Sequence, residues 1–327
     1  MPGAIGATTG RDGRRSTGYG AVMPAEGIHL TALREAMASP ALATSVRRRL
    51  VRRDDAARFG ALVPDLPYFH RYVVEVIRYV ARAPARPSPW GAMIHDGGAV
   101  ALLGSLLGIA RRERDDELAA IALGLASHCA IDRALHPLVN ALARAYPVGR
   151  GHDASHREVE KFQSICFHEQ YLGRDTMGTP AITGYLTIQL ANGLGGRLNR
   201  LLRESWSDAL GSAPGERELN GFVRGYRAHA QLLGTRLGKR VAPAAAKDEA
   251  RPRYLHGPWG TFDALLAAAI ATSIGVLDAA GAVLDAGASD LDSARRALAV
   301  KLPAGTIDPQ GHDLDLARPV QIAALAS

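Results

Sequence analysis

The sequence predicts an all-α protein, a single multi-helix domain holding a metal cluster between its helices. Three observations point there. Alanine, leucine, arginine and glycine dominate the 327 residues, and only 6% are aromatic. Alternating β-branched runs are scarce, while apolar residues recur at helical spacing through most of the chain. Lastly, a run of small and aliphatic residues, 118–126, leads directly into Ser127-His128-Cys129-Ala130-Ile131-Asp132-Arg133-Ala134-Leu135-His136. His128, Asp132 and His136 stand four apart, so on a helix they cover only about 80° of its circumference. Two imidazoles and a carboxylate on an apolar helix are destabilising unless something satisfies them, and a divalent cation does so directly. Nitrogen and oxygen donors at this pitch suit zinc best, with iron or manganese as further options. A simple hydrogen-bonded His–Asp pair is the competing reading.

At 47% hydrophobic the chain has enough apolar material for one large core. Its net charge of +7 comes mainly from dispersed arginines, with one concentration at Arg47-Arg48-Arg49 and Arg52-Arg53. Such a run reads as a solvated helix face and is compatible with anionic substrates or membrane surfaces. Cys129 and Cys166 exclude a disulfide framework and read as reduced core thiols. Residues 1–21 contain no apolar signal core. The longest apolar run, 264–277, is short for a bilayer span. The expectation is a soluble, cytoplasmic protein without a transmembrane segment.

In chain order, residues 1–24 are too rich in Gly, Arg, Ser and Thr to bury apolar surface, and read as a disordered tail. A short amphipathic helix starts near Gly27 and carries His29. A basic amphipathic helix spans 44–59 and stops at Gly60. The segment 60–67 holds Pro64 and Pro67, which exclude a helix interior and put Asp65 on a loop. Asp65 reads equally well as a ligand or as the N-cap of a helix over 68–81. A Pro-rich connection, 83–89, leads to His95, which opens an apolar helix closed by Arg111-Arg112. Pro137 directly follows His136 and predicts a kink or helix end there. After a Gly149–Gly151 turn, a helix from His152 carries His156 and Glu160, again four apart, with His152 as an alternative ligand and His168-Glu169 as a weaker candidate. Helices over 185–202 and 218–241, a loop over 242–252 and helices over 262–284 and 290–300 complete the reading. The domain proper is thus 25–286, with 287–327 forming a C-terminal helix and irregular tail. His229, His256 and His312 lack acidic partners at helical spacing and read as structural.

The candidates, in order, are His29, Asp65, His95, His128, Asp132, His136, His156 and Glu160. Five histidines and three carboxylates suffice for two metal ions or three, if each takes three protein ligands and leaves a position for water. This order and spacing resembles the zinc-dependent phospholipase C family, relatives of the zinc-dependent single-strand nucleases. The family's early histidine matches His29, its Pro-Asp loop Pro64-Asp65, and its isolated histidine His95. Its His-x-x-x-Asp helix matches His128 and Asp132, the next histidine His136, and the closing His-x-x-x-Glu pair His156 and Glu160. The resemblance covers residues 27–170 and implies an all-α fold of phospholipase C or nuclease type. It implies one zinc on Asp65, His95, His128 and Asp132, a second on His136, His156 and Glu160, and a third on His29 with Asp132 bridging. Secreted members complete that third site with the amino group of an N-terminal tryptophan. His29 lies far from the terminus, so here the third ion needs water or Glu26.

The chemistry expected is hydrolysis of phosphoric esters, with a metal-activated hydroxide attacking phosphorus and Asp65 as ligand or general base. Substrate choice would fall to the surroundings of Tyr68, Phe69, Trp90 and Tyr171. A phospholipid head group is one candidate substrate, with peripheral membrane contact. A nuclease or nucleotidase would want stacking platforms, and the chain has only 18 aromatic residues, few of them near the candidate ligands. A non-catalytic metal-binding helical scaffold is the third reading.

Overall fold

A computed structural model describes residues 26–81, 83–84, 86–148 and 151–321. The expected N-terminal tail, and part of the expected turn at 149–151, lie outside the described residues. The fold is all-α, and its axis is one 30-residue helix, α7, Asp116–Ala145. The Asp115 side chain caps it by accepting from the Leu118 amide at 2.9 Å. Nearly every residue of α7 is buried, because small and aliphatic side chains surround it on all faces and other helices pack around it.

Those neighbours are α1 (Glu26–Ala38), α2 (Thr44–Arg52), α3 (Asp54–Gly60), α6 (Ala99–Glu113), α8 (His152–Leu172) and α14 (Phe262–Asp285). Between α3 and α6 come a 3-10 turn at Leu66–Phe69, α4 (Tyr72–Val80), α5 (Pro89–Met93) and a π-helical turn at Ile94–Gly98. An outer layer is formed by α9 (Pro180–Leu186), α10 (Gly196–Leu210), α11 (Glu216–Leu233), α12 (Arg236–Lys239) and α13 (Ala244–Tyr254), with α15 (Leu291–Lys301) against α14. The strands described are a two-residue antiparallel pair, β1 (His256–Gly257) and β2 (Gly260–Thr261).

Several expected boundaries are corrected. The helix foreseen over 44–59 breaks at Arg53, whose backbone leaves the helical region, and Asp55 in the second half accepts from the Gln189 and Leu190 amides. The helix after Pro67 begins at Tyr72 instead of 68, since Arg71 takes a left-handed conformation (φ 53°). Pro137 does not end its helix: α7 runs through it to Ala145, giving up only the backbone bond that its missing N–H would have made. The helix foreseen over 185–202 is interrupted where Thr187 and Ile188 turn extended, that over 218–241 is divided at Gly234, and 242–252 is not a loop but most of α13. The segment after α15 is irregular as expected, yet it packs back on the helices: Ile307 is buried, and its amide donates to the His95 carbonyl.

Three helical stretches are long and apolar enough, by length and composition, to cross a membrane: Pro89–Glu113, α7 and α14. Counting an uninterrupted apolar run misses them because Gly, Ser and Thr interrupt the run without removing its overall hydropathy. In α7, 94% of the apolar window is buried inside the protein itself.

Contact between α3 and α7 is made backbone to backbone. A Cβ on Gly60 would lie 2.0 Å from the Ile121 carbonyl oxygen, and one on Gly124 would lie 2.0 Å from that of Ala57. This approach brings the Ala61 carbonyl within 2.8 Å of His128 Nδ1. Gly124→Ala should therefore push α3 off α7 and lower stability by about 1–3 kcal/mol in urea unfolding, while an unchanged midpoint would refute the close contact.

Candidate metal centre

The three side chains spaced along α7 share one buried face, and the carboxylate is in the middle. Asp132 Oδ1 lies 3.2 Å from His29 Nε2 and 3.4 Å from His136 Nε2. Its Oδ2 lies 2.8 Å from His128 Nε2 and 3.8 Å from His95 Nε2. Four imidazoles from three segments thus surround one carboxylate that is only 3% exposed.

The other members come from separate elements. The first turns of α1 supply His29, whose ring stacks on His128 with centroids 3.9 Å apart. The turn after α3 supplies Asp65, with Oδ1 3.4 Å from His95 Nε2 and Oδ2 4.0 Å from His29 Nε2. The π-helical turn supplies His95. Glu160 on α8 puts Oε1 at 3.3 Å from Nε2 of both His136 and His156. Donor atoms within 4.8 Å of one another form three groups: His29, His128 and Asp132; Asp65, His95 and His128; His136, His156 and Glu160. Each of these groups could hold a metal ion.

Donor chemistry fits that use. The His95 Nδ1–H donates to the Gly91 carbonyl at 2.9 Å, the His128 Nδ1–H to the Ala61 carbonyl at 2.8 Å and the His156 Nδ1–H to Asn140 Oδ1 at 2.8 Å. His136 Nδ1 faces Asp308 Oδ1 at 3.0 Å. In His95, His128 and His156 the far nitrogen is hydrogen-bonded and Nε2 is left pointing inward, the arrangement typical of metal-bound histidines, whereas Nδ1 of His29 and of His136 is buried without a hydrogen-bond partner. His128 Nε2 is completely buried and, although 2.8 Å from Asp132, is not aimed at that oxygen as a hydrogen bond requires. An unpartnered buried nitrogen is destabilising by about 1–3 kcal/mol, and a cation between the two atoms removes the penalty. With neutral imidazoles the eight side chains carry a formal charge of −3, so two dications make the centre +1 and three make it +3.

Without a cation, protons take its place. Burial opposes charge on His95, yet the Asp65 carboxylate, helped by Asp132 and the Gly91 carbonyl, outweighs it and lifts the ring to about 9. Burial likewise opposes charge on His29 and His136, and Asp132 overcomes it in both. Asp132 is pushed up by burial but held well below the usual carboxylate range by the charges of His128, His136 and His29. Glu160 is held down too, its burial outweighed by His156 and His136.

All eight residues anticipated from the sequence meet here. Asp65 precedes the 3-10 turn without capping it, so its N-cap reading fails and its carboxylate is free for the cluster. His152 points its Nε2 at Asn140 Oδ1 (3.0 Å) and belongs to no donor group, leaving His156 as the inward-facing histidine. Glu26 faces His229 Nε2 at 3.5 Å on the side of Tyr72, and it joins none of the three donor groups. His229 therefore has an acidic partner, supplied by another helix. His168 is used locally, donating to Ser164 O and accepting from Thr31 Oγ1, and burial lowers it to about 4. Glu169 pairs with Lys247 and Arg251. Both cysteines are free and buried. Of the aromatic side chains expected around the site, Tyr68 stands 3.4 Å from His95, whereas Phe69 is buried against Tyr226, Trp90 packs on Trp206 and Tyr171 engages Arg34 and Glu35.

Asn140 and Asp308 were missed. Asn140 continues the i+4 series of His128, Asp132 and His136, so the periodicity held a usable signal. Asp308 sits in irregular chain with no such mark. Compared with family models, characterised proteins and solved structures, the chain matches none.

The protonation pattern gives opposite pH slopes for the two forms. In metal-free protein the His95–Asp65 pair stabilises fully below about 6.5 and is lost as pH rises through about 9. Metal binding needs those protons to leave, so zinc affinity rises over the same interval. Between pH 6.5 and 9, chelator-stripped protein should melt progressively lower, while the melting increment given by a fixed zinc concentration should grow. An increment independent of pH would contradict proton–metal exchange at this cluster.

Proposed function

We propose that the protein is a zinc-dependent hydrolase of phosphoric esters, of phospholipase C type. The observation that carries the reading is the convergence of five imidazoles and three carboxylates, from separated segments, with their donor atoms turned toward one another. Bound dications would neutralise phosphoryl oxygens and lower the pKa of a coordinated water enough for it to act as a nucleophile near neutral pH. The protein's own groups do the rest. His29, Asp65, His95, His128, Asp132, His136, His156 and Glu160 would hold the ions at fixed separation. Asp65, at the more accessible edge of the cluster with its side chain 13% exposed against 3% for Asp132, is placed to orient the attacking water or accept its proton. Tyr68, held against His95 by its hydroxyl, is the aromatic side chain suited to contact what enters.

A lipid substrate is favoured by α4, which follows Asp65 after a single 3-10 turn. Its aliphatic face is turned outward: Val73, Ile77 and Val80 are 59%, 61% and 76% exposed. Their spacing places them on one side of the helix, and exposed apolar stripes of this kind mark contact surfaces. A net charge of +7 adds attraction to anionic bilayers.

Purified protein should contain zinc and hydrolyse a soluble aryl phosphodiester, and chelation should abolish the activity until zinc is restored. His128→Ala and Asp132→Ala should lose metal and turnover together, whereas Cys129→Ser should spare both. A zinc-loaded protein inert toward phosphatidylcholine vesicles, single-stranded DNA and the aryl diester would sink the hydrolase reading and leave a scaffold. A second outcome separates lipid from nucleic acid. Val73→Ser/Ile77→Ser/Val80→Ser should cut activity on vesicles at least tenfold and leave the aryl diester rate unchanged. Equal rates on vesicles before and after these changes would remove α4 from the account.

A further inference from the structure

The chain beyond α15 returns over the metal centre and is held there from two sides. Arg133 on α7 donates to the carbonyls of Pro303, Gly305 and Thr306 at 2.6, 3.3 and 3.0 Å. Arg144, further along the same helix, donates to those of Gln310 and Gly311 at 2.8 and 2.6 Å. Opposite them, the Ile307 amide and the Thr306 hydroxyl donate to the His95 carbonyl at 3.1 and 2.8 Å. Gly311 (φ 57°) rests on the backbone of Pro137, where a Cβ would stand 2.4 Å from the carbonyl oxygen. Residues 302–311 are therefore a strap seated against α7 at the level of His136.

Seated there, the strap brings Asp308 to the back of one donor group. Asp308 Oδ1 lies 3.0 Å from His136 Nδ1 and accepts from Asn140 Nδ2 at 2.7 Å, while Nδ2 also donates to the Pro309 carbonyl at 3.1 Å. With its amide nitrogen turned to two acceptors, Asn140 presents only oxygen to His156 Nδ1 and His152 Nε2. A proton is thereby held on His156 Nδ1, and its Nε2 is left as the lone pair toward Glu160. On His136 the effect is one of charge: the Asp308 carboxylate 3.0 Å from Nδ1 favours a proton on that nitrogen and leaves Nε2 for the cluster, without an aligned hydrogen bond. His95 and His128 are set differently, by the backbone carbonyls of Gly91 and Ala61.

We propose that Asp308, acting on His136 directly and on His156 through Asn140, is a positioning residue for one metal ion alone, the one held by His136, His156 and Glu160. Capture of that ion is conditional on the strap being seated, while the ion on Asp65, His95 and His128 is independent of it. The inference rests on the metal-binding reading above.

The test is zinc titration of chelator-stripped full-length protein against a chromophoric chelator, for wild type, Asp308→Ala, Asp308→Asn and Asn140→Ala, with circular dichroism reporting the fold. Asp308→Ala and Asn140→Ala should weaken one equivalent of zinc by roughly 10–100-fold and leave the tighter binding unchanged. Asp308→Asn, which retains an acceptor oxygen, should recover most of the loss. In metal-free protein at a pH high enough for the cluster's imidazoles to be neutral, side-chain nitrogen-15 shifts should show His156 mainly as the Nδ1–H tautomer in wild type and as a tautomer mixture in Asn140→Ala. Equal affinities in all variants, or weakening of every equivalent together, would overturn the assignment. Wild-type protein that binds no zinc would overturn instead the metal reading beneath it.

Discussion

The structure turns on a single carboxylate that is buried and needs positive charge. Asp132 lies 3% exposed at the middle of α7, with imidazole nitrogens on both oxygens. An isolated ionised carboxylate in such a place would be strongly unfavourable. Protons on the surrounding histidines satisfy it in one state of the protein. Metal ions between the same atoms could satisfy it instead, and would also give the unpartnered Nε2 of His128 something to bind. The long apolar helix, the glycine contact with α3 and the return of the C-terminal strap can all be read as means of holding this carboxylate and its partners in place.

Two ways of orienting a histidine are used side by side. His95 and His128 take their orientation from backbone carbonyls, of Gly91 in α5 and of Ala61 just after α3, so their aim is inherited from the fold. His136 and His156 depend on side chains, Asp308 and Asn140, and one of these comes from irregular chain. Backbone-set and side-chain-set ligands respond differently to mutation. The first fail only when the fold shifts, whereas the second can be released one residue at a time.

Much of this was legible in the sequence because helical spacing is a physical signal. His128, Asp132 and His136, and again His156 and Glu160, are placed on common faces by their spacing alone. The proline-braced turn at Asp65 was legible for the same kind of reason, since Pro64 and Pro67 exclude a helix there. What could not be read was pairing between elements with no shared period. Asp308 and the Glu26–His229 contact join residues far apart in the chain. Of the two readings local rules allowed at Pro137, a kink or a helix end, the end is excluded, because packing on every side of α7 outweighs one lost backbone bond, and local rules misjudged 242–252, where an alanine-rich start carries α13 through Pro252.

The most direct test of the account is anomalous diffraction at the zinc absorption edge from crystals of the zinc-loaded protein. The account predicts discrete peaks about 2.0–2.2 Å from the Nε2 atoms of His128 and His136, with Asp132 as a ligand between two of them. A map without peaks at this cluster, with Asp132 instead hydrogen-bonded to protonated imidazoles, would contradict it.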